Sequence, residues 1–170
     1  MRESHFHQEW IDSWRYHFPE CHIAKIPDTI KSAAARFMPL KPYDIYAVLC
    51  GKFYAMELKL MTKLQGFSFG MVTEWQVNNL IEVAHNGATS YVVINYRAPI
   101  SERQQKKFGI QHKKFNSTFV ITAENFDYLD KTTPSKSISF ETFLGQGKFN
   151  GFIQQLDWID GHWNVPMITP

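Results

Sequence analysis

Apolar residues recur at helical spacing over Glu3 to Phe18, where Phe6, Trp10, Trp14 and Phe18 fall at every fourth position on one face. Such an aromatic stripe predicts a helix docked on a core, ended by Pro19. His22 to Ile26 alternates as a short strand does, with Ile23 and Lys25 on one side and Ala24 and Ile26 on the other, until Pro27 and Asp28 stop it. Asp44 to Leu49 and Lys52 to Leu58 are rich in strand formers, and Cys50-Gly51 between them predicts a hairpin. Lys63 to Gly70 carries two glycines and predicts a loop. Thr73 to His85 predicts a helix: Thr73 can cap it, Gln76 lies third after the cap, and Asn86-Gly87 ends it. Ala88 to Tyr96 is a nearly unbroken apolar run, as in a buried central strand. Ser117 to Ala123 predicts another strand, and Glu124 to Leu129 and Ile138 to Leu144 can each start a short helix. The order helix, strand, hairpin, helix, strand, strand predicts an α/β fold with a mixed β-sheet flanked by helices.

Three segments stand apart from this pattern. Residues 28–42 hold three alanines, two prolines and the cations Lys31, Arg36 and Lys41, and are expected to form a short arm, or a short helix followed by a loop. Residues 97–116 are polar and basic, and are expected to form a loop insertion. Residues 149–170 form an aromatic tail that ends in Pro166 and Pro170.

The 170 residues suit one domain, and 44% hydrophobic with 15% aromatic residues is enough for a packed core. Charges interrupt every apolar run before it reaches the length of a membrane span. The first residues lack the basic-then-apolar pattern of a signal peptide. Cys21 and Cys50 match no zinc or redox spacing and are expected to be free thiols in a reducing cytoplasm. A net charge of +2 is too small to indicate nucleic acid. Its distribution is more informative, since Arg97, Arg103, Lys106, Lys107, Lys113 and Lys114 face only Glu102 within one stretch. Such a run is either a solvated face or a track for phosphates.

The chemistry concentrates at the hairpin. Residues two apart on a strand share a face, so Glu57 and Lys59 point the same way. A turn centred on Cys50-Gly51 pairs Asp44 with Glu57 across the two strands. Two carboxylates and an amine then meet among Ile45, Val48, Phe53, Ala55, Met56, Leu58 and Leu60. Bringing two carboxylates together in apolar surroundings without a cation is costly. A hard divalent ion relieves that cost, because two carboxylates and a backbone carbonyl satisfy magnesium with its waters. Such an ion activates water and stabilises charge on a phosphate, and Lys59 can orient the water or neutralise the transition state. By itself, Glu-x-Lys is also common on solvated hairpins.

The ordered set of motifs resembles the PD-(D/E)xK nucleases, and more closely the RecU-type Holliday junction resolvases. The likeness runs from about Ile23 to Gly147. It includes Ile23-Ala-Lys-Ile-Pro27, Asp44 with Gly51-Lys-Phe-Tyr-Ala-Met-Glu-Leu-Lys59, Phe67-Ser-Phe69 with Glu74-Trp-Gln76 and Leu80, the apolar strand ending in Arg97, and Lys136-Ser-Ile138 followed by Gly145. Tyr43 separates Pro42 from Asp44, and the segment aligned with the family's stalk is short. The resemblance implies a restriction-endonuclease-like fold and a homodimer that nicks four-way DNA junctions in pairs, using magnesium or manganese. It implies Asp44 and Glu57 as metal ligands and Lys59 as the catalytic lysine. Gln76 would complete the metal site or hold the water, and the N-terminal helix would supply Glu3, or alternatively Glu9. DNA contacts would fall to Lys25, Lys31, Arg36, Lys41, Arg97, Arg103, Lys106, Lys107, Lys113 and Lys114. The enzyme would act in the cytoplasm, as a bacterial or phage-encoded protein. A related nuclease with another branched or duplex target, and a non-catalytic DNA-binding module, are the alternatives.

Four aromatic or imidazole groups have more than one reading. His5 and His7 lie two apart on a helix and point nearly opposite ways, so they are not expected to share an ion. Trp158 and Trp163 can stack on bases, or pack the tail onto the core or a partner.

Overall fold

The structure is a computed structural model that describes residues 3–27, 40–146, 149 and 151–169. Most of the expected arm, including Lys31 and Arg36, lies outside the described residues. Among the described residues, no helix is long and apolar enough to cross a membrane.

The frame is a six-stranded mixed sheet. It contains β1 (His22–Lys25), β2 (Ile45–Leu49), β3 (Lys52–Met61), β5 (Thr89–Pro99), β6 (Lys114–Thr122) and β8 (Gln154–Leu156), in that spatial order. Only the β3–β5 pair is parallel. Its crossover carries β4 (Phe67–Ser68), a 3-10 turn (Phe69–Met71) and α2 (Glu74–His85). β2 and β3 pair as their turn predicts, with Ile45 opposite Met56 and Leu49 opposite Lys52. Cys50 and Gly51 both take positive φ, 50° and 77°, as a tight two-residue hairpin turn requires.

Each face of this sheet carries its own core. On one face, α1 (Glu3–His17) buries Phe6, Trp10 and Trp14 against Ile45, Tyr54, Met56, Leu58, Tyr91 and Val93. The predicted aromatic stripe is therefore the docking face. On the other, α2, α4 (Ala123–Thr132), α5 (Phe140–Phe143) and the paired β4 and β7 (Ser137–Ile138) cover Ala55, Met61, Val92, Ile94 and Tyr96. Alternation along β3 and β5 divides their side chains between these two faces.

Residues 97–116 do not form the expected loop. β5 continues through Arg97 to Pro99, and β6 begins at Lys114. Between them lies α3 (Glu102–Phe108), where Ser101 and Gln104 make a reciprocal capping box and Gly109 closes the helix at φ 68°. The reason is burial: Ala98, Ile100 and Phe115 are buried, and Phe108 and Phe115 meet Phe140 edge-on. The tail is ordered by similar contacts. β8 extends the sheet, and β9 (Trp158–Ile159) and β10 (His162–Trp163) form a small hairpin against α1. Trp163 is fully buried, and its backbone N–H donates to Ser13 Oγ at 2.9 Å. Trp158 meets Trp163 edge-on and stays partly exposed. Both cysteines are free thiols, as expected.

Candidate active site

The β2–β3 register brings Asp44 and Glu57 together. Asp44 lies one residue before β2, where its N–H donates to Met56 O at 3.1 Å. Its Oδ2 accepts from Leu58 N at 2.9 Å, and its Oδ1 takes the Lys41 ammonium at 2.5 Å. Glu57 is 0% exposed. Its Oε1 accepts from Lys59 Nζ at 2.6 Å and from Gln76 Nε2 at 2.7 Å. Its Oε2 is buried and has no hydrogen-bond partner among the described residues. Burial, and then the Asp44 carboxylate, push the Glu57 carboxyl up to about 7 against the opposing pull of Lys59 and Lys41.

Gln76 reaches Glu57 because of where α2 starts. Its N–H donates to Thr73 Oγ1, and its carboxamide oxygen accepts from Thr73 N at 3.0 Å and the Thr73 hydroxyl at 3.1 Å. This capping box fixes the carboxamide and aims its nitrogen at Glu57. The oxygen that would ligate a metal is therefore engaged with the helix cap. As it stands, Gln76 holds Glu57 rather than contributing an oxygen ligand.

The contribution from α1 differs from the one expected. Glu3 is exposed on the first turn and forms no hydrogen bond or ion pair among the described residues. Glu9, the alternative, is held bidentately by Arg97, with Nη1 to Oε1 at 2.9 Å and Nη2 to Oε2 at 2.6 Å. The α1 side chain that does reach the site is His7, which sequence reasoning passed over. It is 6% exposed, neither ring nitrogen has a hydrogen-bond partner among the described residues, and Nε2 lies 3.7 Å from Asp44 Oδ2. Burial lowers its proton affinity against the opposing pull of Asp44. A signal was present: His7, Ile11 and Trp14 share a helical face and are all buried. His5, by contrast, is exposed.

The expected DNA contacts divide into two groups. Lys41 is bound to Asp44, and Lys25 lies close enough to act electrostatically on His7. Arg97 holds Glu9 and donates from Nε to Asn116 Oδ1 at 3.0 Å, so it ties α1 to the sheet. Lys107 pairs with Glu141 at 2.8 Å and lies over the Phe108 ring. Arg103, Lys106, Lys113 and Lys114 are all exposed, on or beside α3. β3 and β5 run parallel, so this basic region lies beyond the same strand ends towards which Lys59 is set.

The donor set fits a hard divalent ion. It offers two buried carboxylates, one with an unmet oxygen and a proton affinity raised by burial and then by the other carboxylate. Among the described residues, no three His, Cys, Asp or Glu side chains already converge as a metal cage. Water and backbone oxygen would fill the rest of the shell, as is usual for magnesium.

No protein-family model and no curated protein sequence matches the chain. Its fold is similar to the 1.6 Å structure of Hjc, a Holliday junction resolvase from the archaeal hyperthermophile Archaeoglobus fulgidus. The likeness covers 79% of this chain and 82% of that one, at 16% sequence identity and a TM-score of 0.42.

Proposed function

We propose that the chain is a metal-dependent DNA endonuclease of the PD-(D/E)xK type that nicks four-way junctions. The observation that carries this reading is the buried Glu57 carboxylate. It is gripped on one oxygen by Lys59 and Gln76, left unmet on the other, and set beside Asp44. Such a cluster is unfavourable without a further positive centre. A divalent ion held by Asp44 and Glu57 would supply Lewis acidity and a water of lowered pKa. Magnesium and manganese are the ions of this class that oxygen ligands favour.

The side chains have separable roles. Lys59 Nζ, at 2.6 Å from Glu57, holds a positive charge where an attacking water or a phosphate oxygen would develop negative charge. Gln76 fixes Glu57 through a carboxamide that the helix cap prevents from turning. Leu58 N–H fixes Asp44. Lys41 neutralises Asp44, and its ammonium would pass to a phosphate when a metal ion takes up the carboxylate. The exposed cations of α3 and its flanks would follow the DNA backbone away from the scissile bond.

Junction selectivity and the homodimer rest on the resemblance to RecU-type resolvases, which cut symmetrically from two active sites. The test is a substrate panel with magnesium and with manganese: a four-way junction, a three-way fork, linear duplex and single strand, with sedimentation to fix the oligomeric state. Paired symmetric nicks confined to the four-way junction by a dimer support the full reading. Cutting of every substrate keeps the nuclease and removes the selectivity. Junction binding without cutting under either ion identifies a binding module instead.

A further inference from the structure

Among the described residues, four large aromatic side chains are exposed: Tyr16, Trp75, Tyr128 and Trp158. Three of them are held by another ring. Tyr16 stacks on His162 with centroids 4.0 Å apart, Tyr128 stacks on Phe152 at 5.6 Å, and Trp158 meets Trp163 edge-on at 4.7 Å. Trp75 is 48% exposed, and among the described residues its indole meets no ring and donates to no acceptor. One exposed apolar residue is ordinary on a protein surface. The place of this one is not. Trp75 lies on the first turn of α2, next to Gln76, whose carboxamide holds Glu57. Around the helix it shares a stripe with Glu82 and Asn86, two and three turns on. Those two residues line a groove with Gly51 and Phe53 of the β2–β3 hairpin. Glu74 and Asn78 line a different groove, against Asp127 and Lys131 of α4. Trp75 therefore stands on the side of α2 turned towards the hairpin that carries Glu57 and Lys59, and Glu74 is turned away from it.

From this placement we infer that Trp75 is a platform on which an unpaired base of branched DNA stacks, beside the phosphate to be cut. Every base has a π-face, so stacking on an indole holds a nucleotide without reading its sequence. The ammonium groups of Lys59 and Lys41, set against Glu57 and Asp44, supply the positive charge that the adjoining phosphates need. Inside an intact duplex both faces of each base are already stacked on neighbours. The indole can therefore be used only where strands part, as they do at a branch. Trp75 gives the first turn of α2 two tasks: Gln76 sets the carboxylate, and Trp75 sets the strand that the carboxylate's site acts on. It favours branched over linear DNA from a position next to the chemistry. The inference rests on the nuclease reading, with Asp44, Glu57 and Lys59 at its centre.

The test reads the stack directly. Iodouracil, which photocrosslinks to aromatic side chains stacked on it, is placed either at the branch point of a four-way junction or in the middle of one arm. The full-length protein is bound in chelator, so that the DNA stays intact, and irradiated, and the crosslinked residue is identified by mass spectrometry. The expected result is a crosslink to Trp75 from the branch point and none from the arm. Trp75→Ala should weaken junction binding by about five- to a hundredfold, the scale of losing one base–aromatic stack, and leave linear duplex binding within about twofold. Trp75→Phe keeps a ring and should recover most of the loss. A branch-point crosslink to another residue, or equal losses of junction and duplex binding in Trp75→Ala, overturns the inference; cutting by the wild type with magnesium or manganese then leaves the nuclease standing. Loss of self-association in Trp75→Ala, with no crosslink at Trp75, assigns the ring to a contact between copies of the chain and also overturns it. Wild-type protein that neither binds nor cuts branched DNA overturns the inference together with the nuclease reading beneath it. The wild-type crosslink decides the matter even if a variant fails to fold.

Discussion

Two acid–base pairs lie against opposite faces of the same two strands, and they are built differently. On the α1 face, Arg97 of β5 grips Glu9 through two parallel contacts, so both carboxylate oxygens are met. On the α2 face, Lys59 and Gln76 share one oxygen of Glu57 and leave the other buried and unmet. The first pair closes on itself and joins a helix to a sheet. The second is buried more deeply, stands beside another carboxylate, and has its proton affinity raised to about 7. A pair that only joins elements consumes its hydrogen-bonding capacity. A site that must receive a cation keeps some in reserve, and stability alone gives no reason to bury it that way.

The largest expected difference between the pairs is in catalysis. Asp44→Asn, Glu57→Gln and Lys59→Ala should each lower single-turnover junction cleavage at least about a hundredfold, the scale for removing one group that stabilises developing charge. Glu9→Gln should leave that rate within a few-fold. Equal losses at Glu9 and Glu57 would erase the distinction.

Next in size is the pH dependence of stability without metal. The folded-state pKa of Glu57 is raised from 4.5 to about 7. Its stabilising contribution is therefore complete below the unfolded value and is lost as pH rises through the folded one, by on the order of 3 kcal/mol in all. His7 acts in the opposite sense: its lowered folded-state pKa contributes stability above 6.5 that is lost as pH falls. The wild type shows the sum, so the informative quantity is its difference from Glu57→Gln. In chelator, Glu57→Gln should gain thermal stability relative to the wild type as pH rises from about 5 to 8. A difference that stays constant with pH would contradict the assignment.

The Glu9–Arg97 pair should show the converse behaviour. Arg97→Ala leaves a partly buried carboxylate unpaired and should cost about 1–3 kcal/mol in denaturant unfolding, with no metal-dependent component. The smallest effect per residue belongs to the exposed cations. Neutralising Lys106, Lys107, Lys113 and Lys114 together should weaken junction binding and flatten its salt dependence by up to about one unit of log–log slope for each phosphate no longer neutralised. An unchanged slope returns this face to the solvent.

The part of this comparison that is legible in the sequence is the part set by local periodicity. A two-residue turn at Cys50-Gly51 fixes the register, so Asp44 opposite Glu57 follows from counting along two strands. Thr73 and Gln76 carry the signal of a capped helix, and the helix begins there. Ser101, Gln104 and Gly109 carry the same signals around α3, but six basic residues make that stretch read as a loop. The buried alternation of Ala98 and Ile100 is the clue that composition outweighs. His7 escapes notice for another reason. Set against His5, two residues away, it looks isolated, whereas helical periodicity places it with Ile11 and Trp14. The Glu9–Arg97 pair joins residues 88 apart in the chain, and no local pattern signals such a contact. The resemblance to RecU-type resolvases is what implies a place for Gln76 at the site, and the use of its oxygen for the cap becomes visible only with α2 in place.

The most direct measurement is cleavage of a labelled four-way junction with magnesium or manganese, comparing the wild type with Glu57→Gln at protein concentrations that give equal junction binding. The account predicts metal-dependent nicks with the wild type and at least about a hundredfold less cutting by the variant on fully bound DNA. Equal cutting by both proteins, or cutting by the wild type that persists in chelator, would contradict it.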